Sequence, residues 1–312
     1  MRIYTVVFVV FFSNCIHSAQ AQSGAGLPVQ FIQFFKTYAL INPASIGKDS
    51  ALGLSTGNKS LTGAFSGVRT FYAYGHAQFN GRKKNRSRHV IGLTFINDKE
   101  GSFINKNRAA LQYAFHLPIS KKSILSAGAS AGFINYSYKA SNISAGGSAY
   151  APNADIGLWW HRPRFNLGVS GNQLIASTLT PIDETYTIER HYNLTADKTF
   201  LLGPYLSLTP AFIFRWYEKQ YYNADLALIL SIQDNVTAAL GYKYDKGLSV
   251  SGGLEDIKLG QHLFKMMISY YFPVGQVNNY NPQAYELSLH FVPNAHRGRN
   301  TNNSLLEEEE EE

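Results

Sequence analysis

The sequence predicts an all-β fold, a transmembrane antiparallel β-barrel of about 14 strands. Three observations carry that expectation. A short segment that alternates apolar with polar or small residues recurs along the chain, and a period of two marks a half-buried strand. The N-terminus reads as a secretory signal. The chain also carries 20 Tyr and 20 Phe, yet its mean hydropathy is −0.16. A barrel reconciles the last pair, because only alternate residues face lipid while aromatics ring both interfaces. A soluble β-sandwich is the competing fold.

The signal occupies residues 1–21. Arg2 supplies the positive start, Ile3 to Phe12 the apolar core, and Ala19-Gln20-Ala21 a small-x-small cleavage site before Gln22. The apolar core is too short to span a bilayer. Lipidation at Cys15 is the other alternative, and Asn14 is a poor residue to precede it. Cleavage after Ala21 removes the only cysteine, and with it any disulfide, thiolate metal site or cysteine nucleophile.

Residues 22–48 precede the ladder and are expected to form an N-terminal periplasmic segment ending in the turn Asn42-Pro43-Ala44-Ser45-Ile46-Gly47. The barrel is expected over 49–291. Its strands fall at about 49–58, 68–79, 88–97, 107–118, 123–138, 153–162, 164–173, 189–200, 204–217, 220–232, 235–245, 247–256, 260–272 and 283–291. An even count puts both ends on one side. With the first strand running outward, the long connections 139–152, 174–188 and 273–282 all fall outside, as expected for such barrels. A further strand at 60–67 remains open.

The clearest rung is Asn235 to Asp245, with Val236, Ala238, Leu240, Tyr242 and Tyr244 on one face. Ala109, Leu111, Tyr113, Phe115 and Leu117 likewise share a face, as do His262, Phe264, Met266, Ile268, Tyr270 and Phe272. The last pattern places Leu263 and Met267 in the lumen. Pro210 shares a face with Leu208, Phe212, Phe214 and Trp216; it removes a ladder donor in a closed sheet, so a bulge is expected there. Trp159-Trp160, Trp216-Tyr217, Tyr221-Tyr222 and Tyr270-Tyr271-Phe272 read either as ordinary packing or as interfacial girdles.

The formal charge is +7. Six of the 21 acidic residues form the run Glu307 to Glu312, so the rest of the chain sets 28 basic against 15 acidic residues. The run belongs to an expected flexible tail, 292–312. In an exported chain a basic balance argues against nucleic acid and for anionic headgroups, wall polymer or acidic partners. The densest cluster is Arg82, Lys83, Lys84, Arg86 and Arg88, with His89 after it. On this strand count it is a periplasmic turn, either merely solvated or a partner-docking patch.

No catalytic constellation stands out. The nine His lack metal-ligand spacing, and no Gly-x-Ser-x-Gly elbow or phosphate-cradling loop occurs, so no enzyme activity, metal or cofactor is expected. Ser and His meeting across a barrel wall, as in a barrel hydrolase, is a third possibility beside a structural partner-binding barrel and a passive porin. A porin calls for a polar aqueous lumen, whereas many inward positions here are small or apolar.

Several segments together resemble the PorP/SprF family of the Bacteroidetes type IX secretion system. The opening one is Gln30-Phe31-Ile32-Gln33-Phe34…Tyr38, then Asn42-Pro43-Ala44…Gly47. Next come Asn97-Asp98-Lys99…Gly101, Tyr113-Ala114-Phe115-His116-Leu117-Pro118-Ile119 and Leu125-Ser126-Ala127-Gly128. His191-Tyr192-Asn193-Leu194-Thr195-Ala196, Leu208-Thr209-Pro210 and Tyr285-Glu286-Leu287-Ser288-Leu289 follow in order. Residues 49–79 depart from the family, as do Ser45-Ile46 and the tail beyond the last strand. The resemblance implies an outer-membrane barrel in protein secretion and gliding motility. It also implies contact with outer-membrane lipids, with periplasmic secretion components, a lipoprotein among the candidates, and with a secreted adhesin. Tyr285, Leu287, Leu289 and Phe291 resemble a terminal signal read by the barrel-assembly machinery; a last lipid-facing strand is the plain alternative.

Overall fold

The computed structural model describes residues 28–80, 87–141, 145–175, 177–182, 185–218, 222–233, 235–244, 246–274 and 282–293. The wall starts with β1 (Leu52–Leu61), β2 (Arg69–Asn80), β3 (Arg88–Glu100), β4 (Ile104–Ser120), β5 (Ser123–Tyr138), β6 (Gly147–Arg162) and β7 (Phe165–Asn172). A small hairpin, β8 (Thr178–Leu179) and β9 (Tyr186–Thr187), interrupts it. The wall resumes with β10 (His191–Lys198), the two-residue β11 (Phe200–Leu201), β12 (Leu206–Tyr217), β13 (Tyr222–Ile232) and β14 (Val236–Lys243). It ends with β15 (Gly247–Leu259), β16 (His262–Pro273) and β17 (Ala284–Val292).

Every sequential neighbour in the wall pairs antiparallel, β10 joins β12, and β17 returns to β1 with Leu54 opposite Phe291 and Leu61 opposite Ala284. The result is a closed barrel of 14 strands, with β8, β9 and β11 outside the count. Closure leaves no unpaired edge, the requirement for strands that cross lipid.

The predicted dyads hold in the structure. Leu93, Leu111, Leu240 and Ile268 stand exposed on the outer face, whereas Thr237, Ala239, Ala110 and Met267 are buried on the inner one. Residues 62–68 hold no strand but a short 3-10 turn, Gly63–Phe65. The expected bulge at Pro210 is replaced by a gap. The β10–β12 pairing stops at Asp197↔Ala211 and resumes in the same register as Phe200↔Leu208, while Pro210 stays opposite Leu228 on the other side. A proline without a partner across one seam loses its donor without forcing an extra residue into the strand. The shifts that do occur lie between Leu254 and Ile257, where Asp256 takes φ 49°, and between Pro118 and Ser120.

The expectation of a separate periplasmic segment over 22–48 is corrected for its described part. Residues 31–34 and 37–47 are buried, and they lie inside the barrel as a plug. The plug is built from a 3-10 turn at Phe34–Lys36, one helical turn at Tyr38–Ile41 and a 3-10 turn at Pro43–Ser45. Its apolar residues explain the placement: Phe34, Tyr38, Ile41 and Ala44 cluster with Trp159, Ala211, Ile213 and Ala227 of the wall. The same fact explains the small and apolar inward residues, which contact protein where a porin would contact water.

Candidate functional site

A plug made of single turns leaves main-chain groups without partners of its own, and these cannot stay unpaired out of water. The wall supplies donors for six of its carbonyls. Lys59 Nζ donates to Gln30 O (2.6 Å), Lys243 Nζ to Phe31 O (3.1 Å) and Tyr74 OH to Lys36 O (3.0 Å). Gln112 Nε2 donates to Ala39 O at 2.9 Å, and His116 Nε2 faces Ile46 O at 2.9 Å. Ser170 Oγ and Asn172 Nδ2 both donate to Ile41 O at 3.0 Å. In the other direction, the Ile32 N–H donates to Glu286 Oε2 at 2.6 Å, and Tyr72 OH holds Oε1 of the same carboxylate at 3.0 Å.

The turn of the opening motif has a fitted seat. Asn42 Oδ1 accepts from the Ala44 N–H at 2.9 Å, and Asn42 Nδ2 donates to the carbonyls of Leu158 and Val169, facing residues on β6 and β7. Gly128 and Gly157, cross-strand partners on β5 and β6, form the floor. A β-carbon on Gly128 would fall on the Pro43–Ala44 peptide, and one on Gly157 on the Asn42 carboxamide. Gly47 closes the turn at φ 68°, where a side chain would also meet Val90. Tyr38 packs against Trp159 with ring centroids 5.0 Å apart and planes tilted by 56°, and burial pushes its phenol well above the ordinary range, so it stays neutral. Lys36 pairs with Glu255; burial lowers its pKa and the carboxylate works against that shift.

The structure divides the other predicted residues. Asn97, Asp98 and Lys99 lie at the far end of β3, away from the Asn42 turn. There Asn97 Nδ2 donates to Asn105 (2.7 Å) and Asn107 (2.6 Å), and Asp98 accepts from Thr70. Tyr285 and Leu287 face outward and Leu289 and Phe291 are half-buried, all on the strand that closes the barrel. Arg88 is half-buried at the start of β3; Arg82, Lys83, Lys84 and Arg86 lie outside the described residues. The lumen donors Lys59, Gln112, His116 and Lys243 and the seat glycines were missed as site residues. Their signal was inward polar or glycine positions opposite lipid-facing ones.

The two ends of the barrel differ in charge. At the end holding residues 121–122 and 163–164, the described connections between strands carry Lys121, Lys122 and Arg164 and no described acidic residue. The described connections at the opposite end carry Lys139, Arg190 and Lys246 against Glu189 and Glu218. On the basic side the lumen widens into a cavity of about 1590 Å³, lined by Lys48, Lys122 and Arg164 and by the acidic Asp49, Glu255 and Asp256 among others.

A closed wall with an apolar exterior and a lumen filled by its own N-terminal segment defines a plugged outer-membrane β-barrel. The chain belongs to the PorP/SprF family: the family of type IX secretion system membrane proteins PorP/SprF matches residues 23–291. Among solved structures it is similar to a Pseudomonas aeruginosa FadL homologue, with TM-score 0.52 and 10% identity over 89% of this chain and 97% of that one. It is also similar to the monoaromatic hydrocarbon channel CymD, with TM-score 0.51 and 11% identity over 81% and 90%. At such identities the likeness is one of fold. No curated protein matches the chain.

Proposed function

We propose that this type IX secretion barrel is a non-conducting outer-membrane scaffold. It presents its basic end to acidic periplasmic components and serves the handling of secreted or surface-anchored proteins, gliding adhesins among them. The observation that carries this reading is the filled lumen: six plug carbonyls are taken by wall side chains, an arrangement a water-filled pore does not need. The passive porin is therefore the weaker alternative. Short turns facing the periplasm are usual in such barrels, and that orientation turns the basic connections toward the cell wall.

A hydrolytic role finds no support in the lumen. Ser126 and His116 are 2.6 Å apart, but the other ring nitrogen faces the Ile46 carbonyl. Ser50 with His76 and Ser55 with His290 also pair, and among the described residues none of these rings has a carboxylate behind it. The reading remains that of a binding protein.

Two measurements test it. Liposomes carrying the purified protein should swell no faster in small-sugar solutions than empty ones; rapid swelling would favour the porin. Neutralising Arg82, Lys83, Lys84, Arg86 and Arg88 should leave the barrel assembled, yet reduce recovery of periplasmic partners from native membranes. The wild-type interaction should weaken with salt, because exposed charges are screened beyond about 8–10 Å at physiological ionic strength. Equal recovery from the variant returns this turn to a solvated role.

A further inference from the structure

The other half of the lumen holds a second, smaller cavity of about 70 Å³, on the side of the plug away from the larger one. Phe31 and Tyr136 give it an apolar side, Asn172, Gln173 and Asn193 a neutral polar one, and its charged lining residues are of both signs, Asp98 beside Lys106, Arg108 and Arg215. Two carbonyl oxygens here are buried without a hydrogen-bond partner, Gln173 Oε1 and Asn193 Oδ1, on side chains of residues only 5% exposed. Buried orphans of this kind are uncommon and call for an explanation.

The network around Asn193 fixes which atom is orphaned. Asn172 Nδ2 donates to the Ile41 carbonyl, so Asn172 Oδ1 turns to accept from Asn193 Nδ2 at 2.7 Å. Asn193 Nδ2 also donates to Ser170 Oγ at 3.1 Å, which leaves its oxygen facing unsatisfied space as an acceptor. Gln173 adds an independent sign. It sits at φ 56°, a left-handed conformation that a glutamine adopts at a cost, with its N–H held by Asp155 at 2.9 Å. Strained backbone, buried orphans and a cavity coincide at one residue.

We propose that this cavity binds a neutral donor-bearing group, with a carboxamide as its natural occupant. The open positions are acceptors, so the ligand must bring N–H or O–H donors. The charges around the cavity are already matched: Arg108 pairs with Asp155, Arg215 with Asp225 and Lys106 with Glu100, and Asp98 accepts from Thr70, so a charged ligand finds no unpaired countercharge, and a carboxylate would also face the two carbonyl oxygens. A carboxamide offers two donors to Gln173 and Asn193 and an oxygen to a guanidinium. The carboxamide comes either from a free small amide or from an Asn or Gln side chain of a polypeptide reaching in from the loop end. This site stands apart from the basic rim and does not depend on its role.

The test uses full-length protein in detergent and saturation-transfer NMR with acetamide and the methyl esters of N-acetyl-asparagine, N-acetyl-aspartate and Nα-acetyl-lysine, so that only acetamide and the asparagine probe carry a primary carboxamide. The asparagine probe should receive transfer, with the aspartate and lysine probes weaker by about tenfold, the scale of one or two lost hydrogen bonds. Acetamide matching the asparagine probe points to a free amide; a clear preference for the latter points to a polypeptide. Gln173→Gly removes the side-chain acceptor and relieves the strain, so it should lose the probe signal without lowering the temperature at which the folded gel band disappears. Asn193→Leu should also lose the signal. Equal transfer to neutral, acidic and basic probes, or an unchanged signal in Gln173→Gly, overturns the proposal. So does a structure from probe-soaked crystals showing only ordered water on the two oxygens.

Discussion

The outer and inner faces of the same strands obey different rules. On β13, Leu226 and Leu228 stand exposed to lipid while Ala227, between them, packs against the Phe34–Trp159 cluster of the plug. On β14, Val236, Leu240 and Tyr242 are exposed, and Thr237, Ala239 and Lys243 are buried. Lipid fits itself to whatever apolar shape it meets, so the outer face specifies only polarity. The plug has a fixed shape and fixed main-chain groups, so the inner face specifies size and donor position. Substitutions should therefore be judged first by the face they fall on.

The largest effect is expected at the seat of the Asn42 turn. Gly128→Leu and Gly157→Leu put a side chain where the Pro43–Ala44 peptide and the Asn42 carboxamide now lie. Neither strand can move away, because Gly128 and Gly157 are paired within a continuous ladder. The plug should yield instead. Liposome swelling should rise well above the wild-type rate, and protease should cut within 28–48, while the unheated band on a gel persists. A variant that stays closed and resistant would show that the glycines do not set the seat.

A charge on the outer face comes next. Leu240→Arg places a guanidinium in lipid, at a cost of about 2–4 kcal/mol near the bilayer midplane. Urea unfolding of the reconstituted barrel should report a loss of that size. A cost near zero would mean that Leu240 lies outside the apolar band. Glu286→Ala tests the inner face at a smaller scale. It strips the partner from the buried Ile32 N–H and from Tyr72 OH, each held by that carboxylate. Leaving buried polar groups unpaired costs about 1–3 kcal/mol, and the loss should be matched by faster proteolysis near Ile32 rather than by strand loss.

This difference between faces also sets what the sequence could reveal. Period two is enforced on every strand by the pleat, so β2, β5, β12, β13 and β16 were predicted to within two residues at both ends. Upper strand extensions such as 147–152 of β6 were read as loop, because beyond the apolar band the outward residues lose their hydrophobic signal. The plug was visible only as a motif. Tyr38, Asn42 and Pro43 announced a built turn, but nothing local to residues 22–48 says that Gly128 and Gly157 wait for it across the lumen. Donors such as Lys243 and Gln112 looked like ordinary polar lumen residues, since a water-filled pore and a plugged one both demand polarity there. Which of the two applies is a long-range fact.

The smallest effect, and the sharpest use of the comparison, pairs two consecutive residues. Leu226→Ile keeps an exposed apolar residue apolar on a face that has no fixed complement. It should change stability by less than about 0.5 kcal/mol, as surface substitutions away from special features do. Ala227→Ile, one residue on, adds methylene bulk beneath Phe34 and Ile213 in a packed cluster. Overpacking of that kind costs about 1–3 kcal/mol. Both variants place Ile on the same strand, and Ala227→Ile gains the more strand propensity of the two, which works against the expected cost. A higher cost for Ala227→Ile by more than about 1 kcal/mol in paired urea titrations would come from the packed inner face, where plug and wall side chains meet. Equal costs would mean that the inner wall adapts to its plug as freely as the outer wall adapts to lipid, and the distinction between the faces would fall.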